Sequence, residues 1–202
     1  MPSKRENDRR RAPKTRPAAS PDDFPPLSIS SRVWLQDGSD TAFRKLIYEL
    51  LSLSSLLLRS RDRFAAYIGV SGPQYSMMMV VAEAGAATIG QIADALRVSS
   101  PFVTAEVGKL ERRELVEKRR NAADARSNLI VLTDLGRGLI LDLAPLRREV
   151  NDMIYGSLDR AQVEQLVAIV DVLHTDAARA LHVLDSPEYR GKVAPSAKDA
   201  NG

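Results

Sequence analysis

The chain has 202 residues, 44% hydrophobic and 27% charged, with no cysteine and a formal net charge of +3. That balance suits one globular domain with tails, and it excludes a disulfide framework, a thiolate metal site and a thiol redox switch. No run approaches the roughly 20 apolar residues of a membrane span, and the N-terminus is charged where a secretory leader needs an apolar segment, so the expected location is the cytoplasm, with no membrane partner.

The charge is unevenly placed. Residues 1–20 hold seven cations and two acids, a local excess of +5, whereas residues 133–186 hold nine acids and five cations. The opening stretch MPSKRENDRRRAPKTRPAASPDDFPP is rich in proline and poor in apolar residues, which predicts a disordered basic arm over residues 1–38. A functional role for it would be to brush phosphates or a minor groove beside a main binding site. Trp34, near the arm's end, suits packing against a dimer first and capping a ligand second.

A long helix over residues 39–70 follows, capped by Ser39 or Asp40 and carrying Phe43, Leu46, Ile47, Leu50, Leu51, Leu53, Leu57, Phe64 and Ile68 at mostly three- and four-residue spacing. Ser71 and Gln74 make a capping box for a second helix bearing Tyr75, Met78, Met79 and Ala82, which Gly85 closes. The run Met77 to Met79 reads first as core filler and second as the lining of an adaptable pocket.

Thr88 and Gln91 make another capping box, and Ile89, Ile92, Ala93 and Leu96 form the apolar stripe of a short helix. After Val98-Ser99, Ser100 is a suitable N-cap for the next helix with Pro101 at its first position, and Val103, Val107 and Leu110 fall in one narrow sector. Its free side then holds Pro101, Ala105, Gly108, Lys109 and Arg112, with Thr104 at its border: small residues first, cations later. Such a face can approach a major groove closely.

Lys118-Arg119-Arg120, a turn-rich stretch to Asn128, and the β-prone Leu129 to Leu132 predict a two-stranded hairpin with a charged tip. Arg126 at that tip can enter a minor groove while nearby cations meet phosphates, and Asp124 can brace its guanidinium. From Thr133 a helix presents Leu139, Leu143, Leu146, Val150, Met153 and Ile154; after Asp159, a last one presents Val163, Leu166, Val167, Val170, Leu173, Leu181 and Leu184. A lobe as small as residues 71–136 cannot cover these stripes, so a second copy of the chain is the expected partner. Residues 186–202 are predicted to be a disordered tail.

No catalytic set emerges. His174 and His182 lack a third ligand, and Gly136-Arg137-Gly138 lacks the strand and third glycine of a dinucleotide fingerprint. Neither an enzyme, a cofactor nor a metal is expected.

The residues Ser99-Ser100-Pro101-Phe102-Val103-Thr104, Leu110-Glu111-Arg112-Arg113-Glu114-Leu115-Val116, Asp124-Ala125-Arg126 and Leu132-Thr133-Asp134-Leu135-Gly136 resemble those of MarR-family transcriptional regulators, with similarity over roughly residues 41–185. The resemblance implies a mainly α fold with a small β-hairpin wing: a winged helix-turn-helix lobe over 71–136, plus long dimerisation helices over 39–70 and 137–185. One departure is Glu114, where the family commonly has glycine. Implied partners are double-stranded DNA carrying a pseudo-palindromic operator, a second subunit, and a small aromatic or anionic effector. Candidate DNA contacts are Ser99, Ser100, Pro101, Thr104, Ala105, Gly108, Lys109, Arg119, Arg120, Asp124 and Arg126; candidate effector contacts are Arg63, Phe64, Tyr67, Tyr75 and Met78. The absence of cysteine excludes the family's peroxide-sensing branch. The expected function is a repressor released by an effector, the alternative an architectural or constitutive DNA-binding protein without one.

Overall fold

The computed structural model describes residues 24–122, 124 and 126–190. The expectations for the rest of the basic arm and for residues 191–202 lie outside the described residues. The chain divides between Asp62 and Arg63 into two units.

In the first unit, a 3-10 turn (Arg32–Trp34) leads to a bridge between Gln36 and Ser39. The two residues inside that bridge, Asp37 and Gly38, have φ of 50° and 83°, the pairing that a tight I′ turn requires. Asp40 follows, fully buried: its carboxylate accepts from the Ser28 backbone N–H at 2.7 Å and hydroxyl at 2.6 Å and pairs with Arg44 at 2.9 Å. The Ser28 hydroxyl and N–H hold the Asp40 carboxyl below its ordinary range against the opposing effect of desolvation. Trp34 packs edge-on against Phe43, ring centres 5.4 Å apart. Helix α1 (Thr41–Tyr67) leaves Leu46, Leu50, Leu51, Leu53, Leu56 and Leu58 exposed, and only Phe64 and Ala65, in the second unit, are buried.

The second unit continues with α2 (Gly72–Ala84), β1 (Ala87–Thr88), α3 (Ile89–Leu96), α4 (Ser100–Arg112), β2 (Val116–Arg120), β3 (Asn128–Leu132), α5 (Asp134–Tyr155), α6 (Arg160–Leu184) and a short α7 (Pro187–Arg190). The predicted capping boxes form at Ser71/Gln74 and Thr88/Gln91, and the expected cap Asp159 of α6 makes a further box with Gln162. Gly85 ends α2 with φ of 73°.

The hairpin is the expected one, β2 against β3 from Val116↔Leu132 to Arg120↔Asn128, but a third strand joins it. β1 pairs with β3 through Ala87↔Ile130 and Thr88↔Leu129, giving the order β1-β3-β2. Two residues carry too short a pattern to read as a strand, yet they satisfy the free edge of β3. The core beneath draws Val81, Ile92, Val103, Val107, Leu110 and Ile130 from α2, α3, α4 and β3, with Leu115 from the turn before β2.

Thr133 staples the wing's base to α5. Its hydroxyl donates to the Glu114 carbonyl at 2.6 Å and accepts from Gly136 N–H at 3.1 Å, while its own N–H meets the Leu115 carbonyl at 3.2 Å. Glu114, in the family's glycine position, holds φ at +58°, the left-handed conformation glycine takes without cost. The end of the helix over residues 100–112 is thus followed by a strained, left-handed residue. One side of α5 buries Leu143 and packs Leu139, Ile140, Leu146 and Val150 on the core. Helix α6, about 37 Å long for 25 residues, buries none of its side chains in this chain. No helix among the described residues is long and apolar enough to cross a membrane.

Candidate nucleic-acid interface

Helix α3 ends at Arg97, whose φ of 54° and ψ of 45° turn the chain sharply into α4. The cap of α4 is Ser99 rather than Ser100: the Ser99 hydroxyl accepts from Phe102 N–H at 3.4 Å, so Ser100 is the first helical residue and Pro101 the second. Proline is tolerated there because the first four N–H groups of a helix have no partner within it. Ser100 contributes its carbonyl, which accepts the Thr104 hydroxyl at 2.9 Å.

The two sides of α4 divide as the spacing predicts. Val103, Val107 and Leu110 are buried; Pro101, Thr104, Ala105, Lys109 and Arg112 are exposed and Gly108 is half-buried. A Cβ on Gly108 would meet nothing nearer than the Arg112 guanidinium at 3.8 Å, so neighbouring atoms do not require a glycine there. Not anticipated is Glu106, which sits in the buried stripe. Its carboxylate accepts from Gln74 Nε2 at 2.8 Å and from Lys109 Nζ at 2.5 Å. The Lys109 ammonium and the Gln74 amide hold the Glu106 carboxyl below its ordinary value, outweighing desolvation.

In the wing, Lys118 pairs with Glu111 at 2.6 Å and Arg119 with Glu117 at 2.6 Å. Arg120 and Arg126 are exposed and have no carboxylate partner among the described residues. Asp124 does not brace Arg126 through the guanidinium as the spacing suggested. Its carboxylate accepts from the Arg126 backbone N–H at 3.0 Å, and its carbonyl from Ser127 N–H at 3.1 Å, a turn in which a short Asp side chain competes for local backbone donors. Asn121 closes the neck by donating to the Ser127 hydroxyl at 2.8 Å.

Two of the predicted contacts meet in a cleft of about 510 Å³: Thr104 from α4 and Arg126 from the wing, joined by Lys118, Ser127 and Asn128 and floored by Thr88, Ile89 and Gly90 at the start of α3. Two cations and the positive end of a helix thus converge on one concavity, an arrangement suited to a polyanion. The predicted effector contacts divide instead. Phe64, Tyr75 and Met78 are core residues, the two rings 6.2 Å apart, whereas Arg63 and Tyr67 are exposed. Sequence spacing also passed over Arg147 of α5, half-buried, whose guanidinium donates to the Met79 thioether of α2 at 2.9 Å.

Helix, turn, exposed second helix and charged hairpin on a small sheet define a winged helix-turn-helix protein. The MarR family model matches residues 68–127, the segment from the end of α1 to the wing tip. The HTH-type transcriptional regulator TtmR of Methylorubrum extorquens is 27% identical over 144 residues, 70% of this chain and 74% of that protein. In three dimensions the chain resembles AbsC, a MarR-family regulator from Streptomyces coelicolor, with a TM-score of 0.60 and 19% identity over 72% of this chain and 97% of AbsC. It also resembles Staphylococcus aureus MepR in a MepR–DNA complex, with a TM-score of 0.54 and 22% identity over 64% of this chain and 96% of MepR. The chain is thus similar to MarR-family transcriptional regulators in sequence over residues 68–127 and shares their fold over about two thirds of its length.

Proposed function

We propose that the protein is a homodimeric, sequence-specific DNA-binding regulator that reads a pseudo-palindromic operator with α4 in the major groove and the wing in the flanking minor groove. The observation that carries this reading is the cleft in which Thr104, Lys118 and Arg126 meet beside the small-residue face of α4. MepR, of similar fold, has been crystallised with DNA. Dimerisation is supported by α6, whose Val163, Leu166, Val167, Val170 and Leu173 are all exposed in the single chain and need an apolar partner. Selecting binding sites from random duplexes tests it: an inverted repeat should emerge, and a population without any shared sequence would speak against specific reading.

The finer reading is a repressor that leaves its operator when a small aromatic or anionic molecule binds. Arg147 supports it, because a half-buried guanidinium whose hydrogen-bond partner among the described residues is a thioether has donors that a carboxylate or phenolate would satisfy better. The burial of Phe64, Tyr75 and Met78 in the core favours the alternative, a constitutive or architectural DNA-binding protein without an effector. A thermal-shift screen of aromatic acids and phenols separates the two, since a ligand specific for the folded dimer raises its melting temperature by mass action.

A further inference from the structure

Glu106 is a carboxylate in a stripe that otherwise holds Val103, Val107 and Leu110, and it is 8% exposed. Apolar residues of similar size usually serve such a position as well or better, because a buried ion must be fully paired merely to recover its desolvation cost. Here both oxygens are paired, and the pairing extends in both directions. Ser71 N–H donates to Gln74 Oε1 at 3.1 Å, which turns Gln74 Nε2 toward Glu106 Oε2 at 2.8 Å; Glu106 Oε1 then takes Lys109 Nζ at 2.5 Å. The chain of bonds runs from the cap of α2, through the core, to an ammonium on the exposed face of α4. Lys109 remains half-exposed, with a side-chain exposure of 51%, so its two other donors face outward.

We propose that Glu106, oriented by Gln74, is a positioning residue that converts Lys109 from a mobile surface charge into a directed hydrogen-bond donor for base recognition. The inference rests on the DNA-binding reading and deepens it. An untethered lysine is a flexible point charge that satisfies any phosphate. A lysine held by a buried carboxylate has lost its rotamer freedom before DNA arrives, and its net charge is offset. It therefore adds little to non-specific affinity, and its remaining donors favour the acceptor pair that guanine offers in the major groove.

Two measurements on Glu106→Gln test this, with Lys109→Ala and the double variant beside it. Without DNA, acetylation of Lys109 by an amine-reactive reagent, read by mass spectrometry, should be several-fold faster in Glu106→Gln than in the natural protein. With DNA, the ratio of operator to random-duplex affinity should fall roughly tenfold. The salt dependence on random duplex should also steepen by about one counterion as Lys109 is released to phosphate. Lys109→Ala should lower the same ratio, and adding Glu106→Gln to it should change neither ratio nor slope. A merely structural Glu106 would weaken both duplexes equally and leave the slope alone, which overturns the proposal, as does unchanged labelling of Lys109. Failure of the natural protein to prefer any operator would instead strike the DNA-binding reading, and the inference with it.

Discussion

Gly136 and Gly138 stand two residues apart near the start of α5, and the same substitution should act in opposite directions on them. A Cβ on Gly136 would lie 2.1 Å from the Leu115 carbonyl oxygen, 3.1 Å from its carbon and 3.3 Å from Leu132 Cδ2; on Gly138 it would meet nothing within 4 Å. The obstruction at Gly136 is backbone, so relief requires α5 to move more than about 1 Å from the wing's base to reach ordinary carbon–oxygen contact. That movement pulls on the Thr133 bonds to Glu114 and Leu115. Overpacking costs about 1–3 kcal/mol and each weakened hydrogen bond about 1 kcal/mol, so Gly136→Ala should lose about 2–5 kcal/mol. Gly138→Ala should gain about 0.5–1 kcal/mol from helix propensity. At about 2–4 °C per kcal/mol for a chain of this size, the expected shifts are a fall of roughly 4–20 °C and a rise of roughly 1–4 °C. Circular-dichroism melts at one fixed protein concentration measure both, because a dimer's midpoint depends on concentration. A Gly136→Ala protein that melts at or above the natural one would refute the close approach of α5 to the wing.

Glu114→Gly should stabilise the protein by roughly 0.5–1 kcal/mol, since relief of a left-handed residue's strain exceeds the added freedom of the unfolded chain; a lower melting point would contradict this. Gly108→Leu should not lower the melting point or change the oligomeric state, because its Cβ meets no obstruction, yet it should abolish operator binding by filling the face of α4. Arg126→Ala should weaken binding and lower its salt dependence by about one counterion. Asp124→Ala should also weaken it, through loss of the 3.0 Å bond that shapes the tip, but not in the Arg126→Ala background; tighter binding by Asp124→Ala would exclude that role. Asp40 and Glu106 have carboxyls held below their ordinary values of 3.8 and 4.5, so they stabilise the fold above those values, and that stability is lost as pH falls through the lowered folded ones. Asp40→Asn and Glu106→Gln should each flatten the acid limb of a pH–stability profile, and an unchanged limb would dismiss the linkage.

Local signals made much of this architecture legible. The pairs Ser71/Gln74 and Thr88/Gln91 announce helix starts because the capping geometry involves only neighbours, and Val103, Val107 and Leu110 reveal the buried side of α4 through periodicity alone. Choices among adjacent candidates were less secure: Ser99 and Ser100 are equally good caps by composition, and the backbone selects Ser99. The bond from Asp124 to the Arg126 N–H rather than to its guanidinium depends on the turn's torsions, which residue spacing does not encode. Glu106 was illegible for another reason. Its partner Gln74 lies 32 residues away, and no pattern within α4 distinguishes a buried, paired glutamate from a solvated one. β1 escaped notice because two residues become a strand only when β3 lies beside them. Arg63, Phe64, Tyr67, Tyr75 and Met78 have the chemistry of an effector pocket, but core packing assigns Phe64, Tyr75 and Met78 to the interior.

In the proposed reading, two copies joined through their long helices present two α4 helices to successive major grooves. The most direct measurement is operator affinity against half-site spacing, with the mass of the complex determined in solution. The account predicts two subunits per site and tight binding at half-site centres about 10 base pairs apart, lost when about 5 base pairs are inserted and partly recovered with a full turn. Affinity indifferent to that insertion, or a single subunit holding an isolated half-site as tightly as the whole operator, would contradict it.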